Sequence, residues 1–444
     1  MSINKQSPTE PHLKVFHDRS ELVYETGAAQ IFPEGKLSKA AQKRLKEIRA
    51  AFDSGFLPNL IETCQKPDAE LGQLPPSQLT LLTTLVESLT SEVGRAIVGL
   101  TVLQLCLKTI APTQSIRLHK GGNSYGETRF SWQEGLPMRS LDKSYITPVL
   151  RRYDLLRTNA DGVMMTRSLA ENYPYSQLYK AAIRGARQEW LTLVDLLEQG
   201  EMDAESALRH LLALLLNKSD RFQKSAANTV TQIKSVIASQ PPAESIIEFM
   251  DNFIDASDYS ARLLEIAMHS LFQAKAEWNL LDGDLKPLSQ MRSANKKHGN
   301  IGDVEVTVHG SSFEIIEAWD AKYGKPYLRD ELEELNEKLR DHLETEIVGF
   351  VVDQAPTMKS EISRRMQEIA EIHDVQVFII DFRSWATEHL SLVDDDIDPL
   401  SWDWLLAFTE SLCQMRREQA PIDEPADAWV KNLGEFATRW LTSD

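Results

Sequence analysis

The order of strands and helices can be worked out from residues 299–325, which read GNIGDVEVTVHGSSFEIIEAWDAKYGK. Two runs in this stretch, 303–308 and 313–322, are rich in β-branched and aromatic residues, which is typical of strands. The letters VHGSS between them supply turn residues. The stretch therefore predicts two neighbouring strands, which can pair as a hairpin.

Helix and strand patterns continue on both sides of this stretch. A helix is predicted before it at 259–278, and helices and strands alternate after it at 329–346, 346–353, 359–373 and 375–382. The resulting order is helix, strand, strand, helix, strand, helix, strand, which predicts a mixed sheet with helices packed against it. The acidic, Trp-rich tail beyond Trp385 is predicted to be a solvated helical cap.

The first half of the chain shows a different sequence pattern, in which helical periodicity predominates. Residues 1–36 are polar without clear periodicity and predict a loose arm. Apolar residues recur at spacings of three and four from Leu37 to about Ile110 and again from Tyr179 to about Leu281, which predicts helices. Two prolines in SQPPAES (239–245) mark a break in the second helical region.

Composition restricts the class of protein. The chain has 444 residues, of which 42% are hydrophobic and 26% charged, as expected for a globular protein of two or three domains. Its 3 cysteines are far apart, which argues against a disulfide scaffold or a zinc site and fits a reducing compartment. The most apolar stretch, 96–107, is too short to span a bilayer. We therefore expect a soluble cytoplasmic protein with no membrane partner.

The net charge of −18 does not by itself exclude nucleic acid as a partner. Between Lys108 and Trp190 there are 13 Lys and Arg residues against 7 Asp and Glu residues. Charges are screened beyond roughly 8–10 Å at physiological salt, so a duplex responds to the local field. A surface fluctuation without function is an equally good interpretation of this excess.

Three charged residues carry the chemistry that the sequence suggests. Asp303 opens one predicted strand, and Asp320 and Lys322 close the next. Asp320 and Lys322 are two residues apart, so their side chains share one face of the strand. If the strands pair, both carboxylates can approach one another and hold Mg²⁺. An ammonium group beside such a metal can orient the attacking water or stabilise charge on a phosphate. The alternative is an exposed salt bridge without catalytic function.

These residues resemble the motif of the PD-(D/E)xK nuclease superfamily, which includes most type II restriction endonucleases. Gly302-Asp303 stands where that motif has Pro-Asp, and Asp320-Ala321-Lys322 matches its second half. The resemblance covers roughly residues 258–382. It implies a restriction-endonuclease-like sheet, Mg²⁺ bound by Asp303 and Asp320, and a further acid on the preceding helix. Glu265 resembles that acid, and a solvent-exposed glutamate is the alternative.

A second segment suggests how DNA would be contacted. Residues 140–175 resemble a winged helix, with a helix over about 143–156 and a hairpin at 157–163 that returns through residues 164–167. Such a helix can enter the major groove while the wing follows the backbone. The candidate DNA-contacting residues are Arg117, Lys120, Lys143, Arg151, Arg152, Arg157, Arg167, Lys296 and Lys297. A basic surface on a helical support domain is the alternative.

We therefore predict an α+β / α/β protein. It comprises an N-terminal arm and helical region, a winged-helix-like DNA-binding domain, a helical linker region and a nuclease domain with an acidic cap, at 1–110, 111–178, 179–257 and 258–444. The predicted function is Mg²⁺-dependent, restriction-type cleavage of double-stranded DNA. Cutting two strands requires two active sites, so a homodimer is expected. No methyltransferase-like motif occurs, so a separate cognate DNA methyltransferase is expected.

Two alternatives belong to different classes. One is a repair or modification-dependent nuclease with little sequence preference. The other is a winged-helix DNA-binding regulator that retains an inactive nuclease fold.

Overall fold

The computed structural model describes most of the chain in two compact units, which are residues 1–221 and residues 222–444. The four predicted segments are thus distributed over two units rather than four. The described residues are 10–89, 94–119, 131–156, 162–165, 169, 173–179, 181–288, 300–325, 327–355, 357–415 and 424–443.

The first unit begins with a three-stranded antiparallel sheet, where a loose arm was predicted. Its strands run in the order β1, β2, β3 and span His12–Val15, Arg19–Val23 and Ala29–Pro33. Leu22 and Phe32 are buried in this sheet together with Leu118 and Trp132. The loose-arm prediction was wrong for residues 12–33 because the partners of their apolar side chains lie about a hundred residues away in the sequence.

Helices make up most of the rest of the first unit, as predicted. Their bounds are Lys39–Asp53 (α1), Phe56–Cys64 (α2), Pro76–Glu87 (α3), Arg95–Ile110 (α4), Met138–Leu141 (α5), Thr147–Arg152 (α6), Arg187–Gln199 (α7) and Ala204–Ala238 (α8). Only residues 204–221 of α8 belong to this unit, and the rest of that helix belongs to the second. One hydrophobic core extends from Ile48 to Leu215 and takes in residues of the 111–178 segment. That segment therefore shares the core of the unit and does not build its own.

The predicted winged helix is only partly reflected in the structure. Residues 138–152 are helical throughout, with a π-helical stretch, Asp142–Ile146, between α5 and α6. The returning strand of the wing is wrong where it can be checked, because Val163–Met165 forms a 3-10 turn. The carboxylate of the buried Asp142 accepts hydrogen bonds from Thr147 Oγ1 and from the N–H of Met164 at 2.8 and 3.1 Å. This buried carboxylate and the burial of Val163 and Met164 hold the turn inside the unit.

The second unit contains five further helices that pack around a core of large aromatic residues. They are Ala243–Asp255 (α9), Ser260–Glu277 (α10), Phe382–Leu390 (α13), Ile397–Leu412 (α14) and Ala426–Ser443 (α15). Trp385, Trp404 and Trp429 are all fully buried. The predicted C-terminal cap is helical, but its solvated character was wrong because its tryptophans supply core packing.

A five-stranded mixed sheet forms the other part of this unit, in the order β4, β5, β6, β7, β8. The strands are Asp284–Leu285 (β4), Val304–Thr307 (β5), Ile315–Lys322 (β6), Ile347–Val352 (β7) and Gln376–Asp381 (β8), and helices Arg329–Lys338 (α11) and Ser360–His373 (α12) connect the last three. β5 and β6 pair antiparallel, and β6, β7 and β8 pair parallel. The predicted order from 259 to 382 is confirmed, and β4 is an addition.

Helices cover both faces of this sheet. Trp319 and Val304 pack on one face, in a core shared with α10, α13 and α14. Ala318 and Phe350 pack on the other face, in a core shared with α11 and α12. The fold is therefore α+β. Within the part of the chain that the structure describes, no helix is both long and apolar enough to span a membrane.

Candidate active site

Asp303, directly before β5, lies opposite Asp320 on the paired strand β6. Val304 is in register with Trp319, and the N–H of Asp303 donates to the carbonyl oxygen of Trp319 at 2.9 Å. Asp303 Oδ2 also accepts from the N–H of Ala321 at 3.2 Å. Because directly opposite side chains point to the same face, the two carboxyl groups meet, and they are within hydrogen-bonding contact. The predicted convergence of these two acids is confirmed.

Lys322 completes the cluster on the same face. Its Nζ lies 2.8 Å from Oδ2 of Asp320 and 5.8 Å from the ring centroid of Phe350. The spacing of two residues along β6 places both side chains on one side of the strand, as the alternation predicts. Two carboxylates and one ammonium group are thus in contact on the face covered by α11.

The electrostatics of this cluster are unusual because Asp320 is only 8% exposed. Burial and the adjacent Asp303 carboxylate raise the pKa of Asp320 to about 7, whereas Lys322 acts in the opposite direction. Both effects raise the pKa because each makes the ionised form of Asp320 less favourable: burial removes water from the charge, and Asp303 repels it. A cation added between the two carboxylates would remove that penalty.

Gly302 permits the close approach of Asp303 to β6. A Cβ atom at residue 302 would lie 2.6 Å from the carbonyl oxygen of Trp319 and 2.8 Å from its carbonyl carbon. These are backbone atoms of a central strand and cannot swing aside. The glycine that stands before Asp303 is therefore required by the geometry of the two strands.

A recess beside the cluster opens between β6, β7 and α11. Its charged lining consists of Asp320, Lys322, Glu331, Glu334 and Lys338. Lys338 pairs with Glu334 at 2.8 Å and donates to the carbonyl oxygen of Ile301 at 3.3 Å. The loop that carries Asp303 is thus also held from α11.

The donor set at the hairpin fits a hard divalent cation. Asp303 and Asp320 provide carboxylate oxygens, which Mg²⁺ prefers, and Mg²⁺ commonly uses only one or two carboxylates with water and phosphate in its other positions. Within the described residues, no group of three or more His, Cys, Asp or Glu side chains is arranged to hold a metal ion. Among the described residues, the candidate site thus contains two acids, Asp303 and Asp320.

Glu265 occupies a different environment from the one the resemblance implies. Its carboxylate accepts from the guanidinium of Arg262, which is 4% exposed and also pairs with Glu424 at 2.8 Å. Helix α10, which carries Glu265, packs in the core on the Trp319 face of the sheet. Glu265 therefore neutralises a buried arginine, and its part in metal binding stays a prediction.

Glu305 is a site residue that the sequence analysis missed. It is 3% exposed and lies on β5 two residues after Asp303. The alternation in the letters DVEV places Glu305 on the same face of the strand as Asp303, but it does not reveal that Glu305 is buried.

The predicted DNA-contacting residues divide into three groups. Lys143 and Arg152 are exposed, and Arg151 is half-buried, all on the helical stretch 138–152. The remaining candidates other than Arg117 lie outside the described residues, and they are Lys120, Arg157, Arg167, Lys296 and Lys297.

The predicted DNA contact of Arg117 was wrong. Its side chain is 1% exposed, its guanidinium lies 2.6 Å from Asp195 and 4.0 Å from Glu198, and it donates to the carbonyl oxygen of Tyr175 at 2.6 Å. It is a structural arginine and is not presented to a DNA backbone. We predicted a DNA contact for Arg117 because its acidic partners lie on α7, far along the chain.

Comparison with protein-family models finds no match to this chain, and comparison with curated proteins finds none either. The case for a function therefore depends on the geometry of Asp303, Asp320 and Lys322.

Proposed function

We propose that this protein is a Mg²⁺-dependent endonuclease of the restriction type that hydrolyses phosphodiester bonds in double-stranded DNA. The observation that carries the proposal is the contact between Asp303 and Asp320, with Nζ of Lys322 2.8 Å from Asp320. The mixed sheet with helices on both faces also agrees with the fold implied by the resemblance to PD-(D/E)xK nucleases.

In this mechanism, the carboxylates of Asp303 and Asp320 would hold the ion. Bound Mg²⁺ supplies a Lewis acid that activates water and neutralises charge on the phosphate. The close approach of the carboxylates, enforced by Gly302 and by strand pairing, fixes their oxygens before substrate arrives. Such preorganisation is the main contribution that a protein makes to phosphoryl chemistry.

Lys322 contributes a positive charge next to the same site. Its ammonium group can bind a phosphate oxygen or the attacking water, because its Nζ already lies beside Asp320. The position at the end of β6 directs it toward the recess lined by Asp320 and Phe350. We assign to it the stabilisation of the charge that develops on the phosphate.

DNA is proposed to be bound through the exposed Lys143 and Arg152 and through the basic segments around Lys120, Arg157, Arg167, Lys296 and Lys297. Cleavage of both strands would require two copies of the site, which favours a homodimer. Protection of the host's own DNA would require a separate methyltransferase.

The test is cleavage of methylated and unmethylated plasmid DNA by the full chain, with Mg²⁺ or Mn²⁺ and with EDTA. We expect metal-dependent double-strand breaks at defined positions in unmethylated DNA. Asp320→Ala should lower the rate by about 10³-fold while DNA binding persists, because metal stabilisation of the transition state is worth several kcal/mol.

Glu314→Gln is the matched control, since Glu314 is an exposed acid just before β6 and its substitution removes the same charge. We expect that variant to cut like the unmodified protein. Binding of DNA by the unmodified protein without nicking in either metal would contradict the proposal and favour a regulator. Fragment ends scattered over all sequences would favour a repair nuclease.

A further inference from the structure

Glu305 makes two contacts with the loop that precedes β5 and one with Lys286, which follows β4. Its Oε1 accepts from the N–H of Ile301 at 2.5 Å and from the N–H of Gly302 at 3.1 Å. Its Oε2 accepts from Nζ of Lys286 at 2.9 Å. Oε1 therefore binds the backbone of the loop, and Oε2 binds the ammonium group of Lys286 next to β4.

The loop needs such an acceptor because both residues are buried. Ile301 is 3% exposed, and Gly302 lies against the backbone of Trp319. Buried N–H groups without an acceptor are costly, by about 1–3 kcal/mol each. Here one oxygen satisfies two consecutive N–H groups, and the carbonyl oxygen of Ile301 accepts from Lys338. Hydrogen bonds thus hold the loop through the N–H groups of Ile301 and Gly302 and through the carbonyl oxygen of Ile301.

The residue that follows this loop is Asp303. Its carboxylate must reach Asp320 across the strand pair, and the path of its backbone is set by residues 301 and 302. A carboxylate that accepts hydrogen bonds from both of these N–H groups therefore fixes the backbone position of Asp303. Glu305 lies opposite Ala318 and on the same face of β5 as Asp303.

We propose that Glu305 is the positioning residue for Asp303, and that it sets the affinity of the site for divalent metal by holding the backbone of Ile301 and Gly302. This inference deepens the proposed function and rests on it. Outer-shell groups of this kind commonly change metal affinity by about 10- to 100-fold when they are removed. The task belongs to Oε1, and Lys286 neutralises the charge on Oε2.

The division between the two oxygens gives a discriminating set of variants. Glu305→Gln keeps an oxygen for the two N–H groups and loses the charge. Glu305→Asp keeps the charge but withdraws the oxygens by one methylene. Glu305→Ala removes both, and Lys286→Met removes only the ion pair. The unmodified chain and each variant are titrated with Mn²⁺ and followed by electron paramagnetic resonance, and thermal unfolding is recorded in parallel.

We expect Glu305→Ala and Glu305→Asp to weaken Mn²⁺ binding by about 10- to 100-fold. Glu305→Gln and Lys286→Met should bind Mn²⁺ within about threefold of the unmodified protein, because the acceptor for the loop remains. If Glu305→Ala fails to fold, the comparison of Glu305→Asp with Glu305→Gln decides. The metal concentration for half-maximal DNA cleavage should follow the same order.

Two results would overturn the inference. Glu305→Asp that binds Mn²⁺ like the unmodified protein would show that the position of the oxygen does not matter. Glu305→Gln that binds as weakly as Glu305→Asp would show that the charge acts, and not the loop contact. The proposed function fails separately, when the unmodified protein binds Mn²⁺ with this dependence on Glu305 but does not cut DNA.

Discussion

At Asp320, burial and a neighbouring acid act in the same direction. The raised pKa means that the folded protein binds this proton more tightly than the unfolded chain does. Between the ordinary value of 3.8 and about 7, the free energy of unfolding therefore falls as pH rises. Above that range the destabilisation by the buried carboxylate is fully present. The ionised acid thus lowers the stability of the protein above about pH 7 when no cation is bound.

Asp320→Asn should relieve this cost. An amide carries no charge and can donate to Asp303, so at about pH 8 without divalent ions we expect the variant to be more stable by about 1–3 kcal/mol. Near pH 4 the difference should vanish, since the carboxyl group is then protonated in the folded protein. Urea unfolding at both pH values measures it.

The control for this prediction is Glu314→Gln, an exposed position where the same change should alter stability by less than about 0.5 kcal/mol. Addition of Mg²⁺ should stabilise the unmodified protein and leave Asp320→Asn unchanged, because only the former retains both acidic ligands. An Asn variant that is less stable at high pH would disprove the electrostatic account.

At the scale of the element, the β5–β6 hairpin explains why a glycine precedes Asp303. Gly302→Ala would place a methyl group against the Trp319 backbone, and the loop would have to move away from β6 with Asp303 attached. We expect a loss of stability of about 1–3 kcal/mol and a loss of cleavage of about 100-fold. Unfolding and single-turnover cleavage measure the two effects.

Gly310, in the turn of the same hairpin, provides the contrast. Its φ is +77° and a Cβ there would meet nothing within 4 Å. Gly310→Ala should therefore cost about 1 kcal/mol through backbone strain and leave cleavage intact. Equal activity of the two alanine variants would mean that the position of Asp303 is not critical.

The hairpin was also the element that the sequence described best. Alternation along the strand placed Asp320 and Lys322 on one face, and the turn letters VHGSS allowed the two strands to pair, which let Asp303 approach Asp320. These are local signals, read over about twenty residues. Glu305 was missed because its partners are the N–H groups of Ile301 and Gly302, and backbone donors leave no mark in the sequence.

At the scale of the whole molecule, nonlocal contacts account for the other errors. Leu22 and Phe32 look isolated in the sequence until Leu118 and Trp132 are placed beside them. The same holds for Arg117, whose acidic partners Asp195 and Glu198 are on α7. A run of basic residues therefore overstates the charge available to DNA. Lys108, too, is 8% exposed and pairs with Glu198 at 3.1 Å.

Two sets of variants distinguish basic residues in buried ion pairs from basic residues that are exposed to DNA. Arg117→Met should destabilise the protein by about 3 kcal/mol, since Asp195 and the carbonyl oxygen of Tyr175 lose the guanidinium while Glu198 keeps Lys108, and it should not alter the DNA affinity of the folded protein. The double variant Lys143→Ala/Arg152→Ala should change stability by less than about 0.5 kcal/mol. It should weaken DNA binding and make the logarithmic salt dependence shallower by about 2.

Chemical unfolding and DNA titrations over a range of salt concentrations measure both quantities. An Arg117→Met variant that keeps its stability but loses salt-dependent DNA binding would show that Arg117 contacts DNA and is not a structural residue. Unchanged binding in the double variant would move the DNA contact away from the helical stretch 138–152.

The acids and the amine of the candidate site all come from one continuous hairpin, residues 303–322. Their mutual arrangement therefore has low contact order and can be established without waiting for distant parts of the chain to assemble. Such a cassette is inherited as one short block of sequence. Under the proposed function, substitutions in the first unit could then alter target choice while the residues proposed for the reaction stay together.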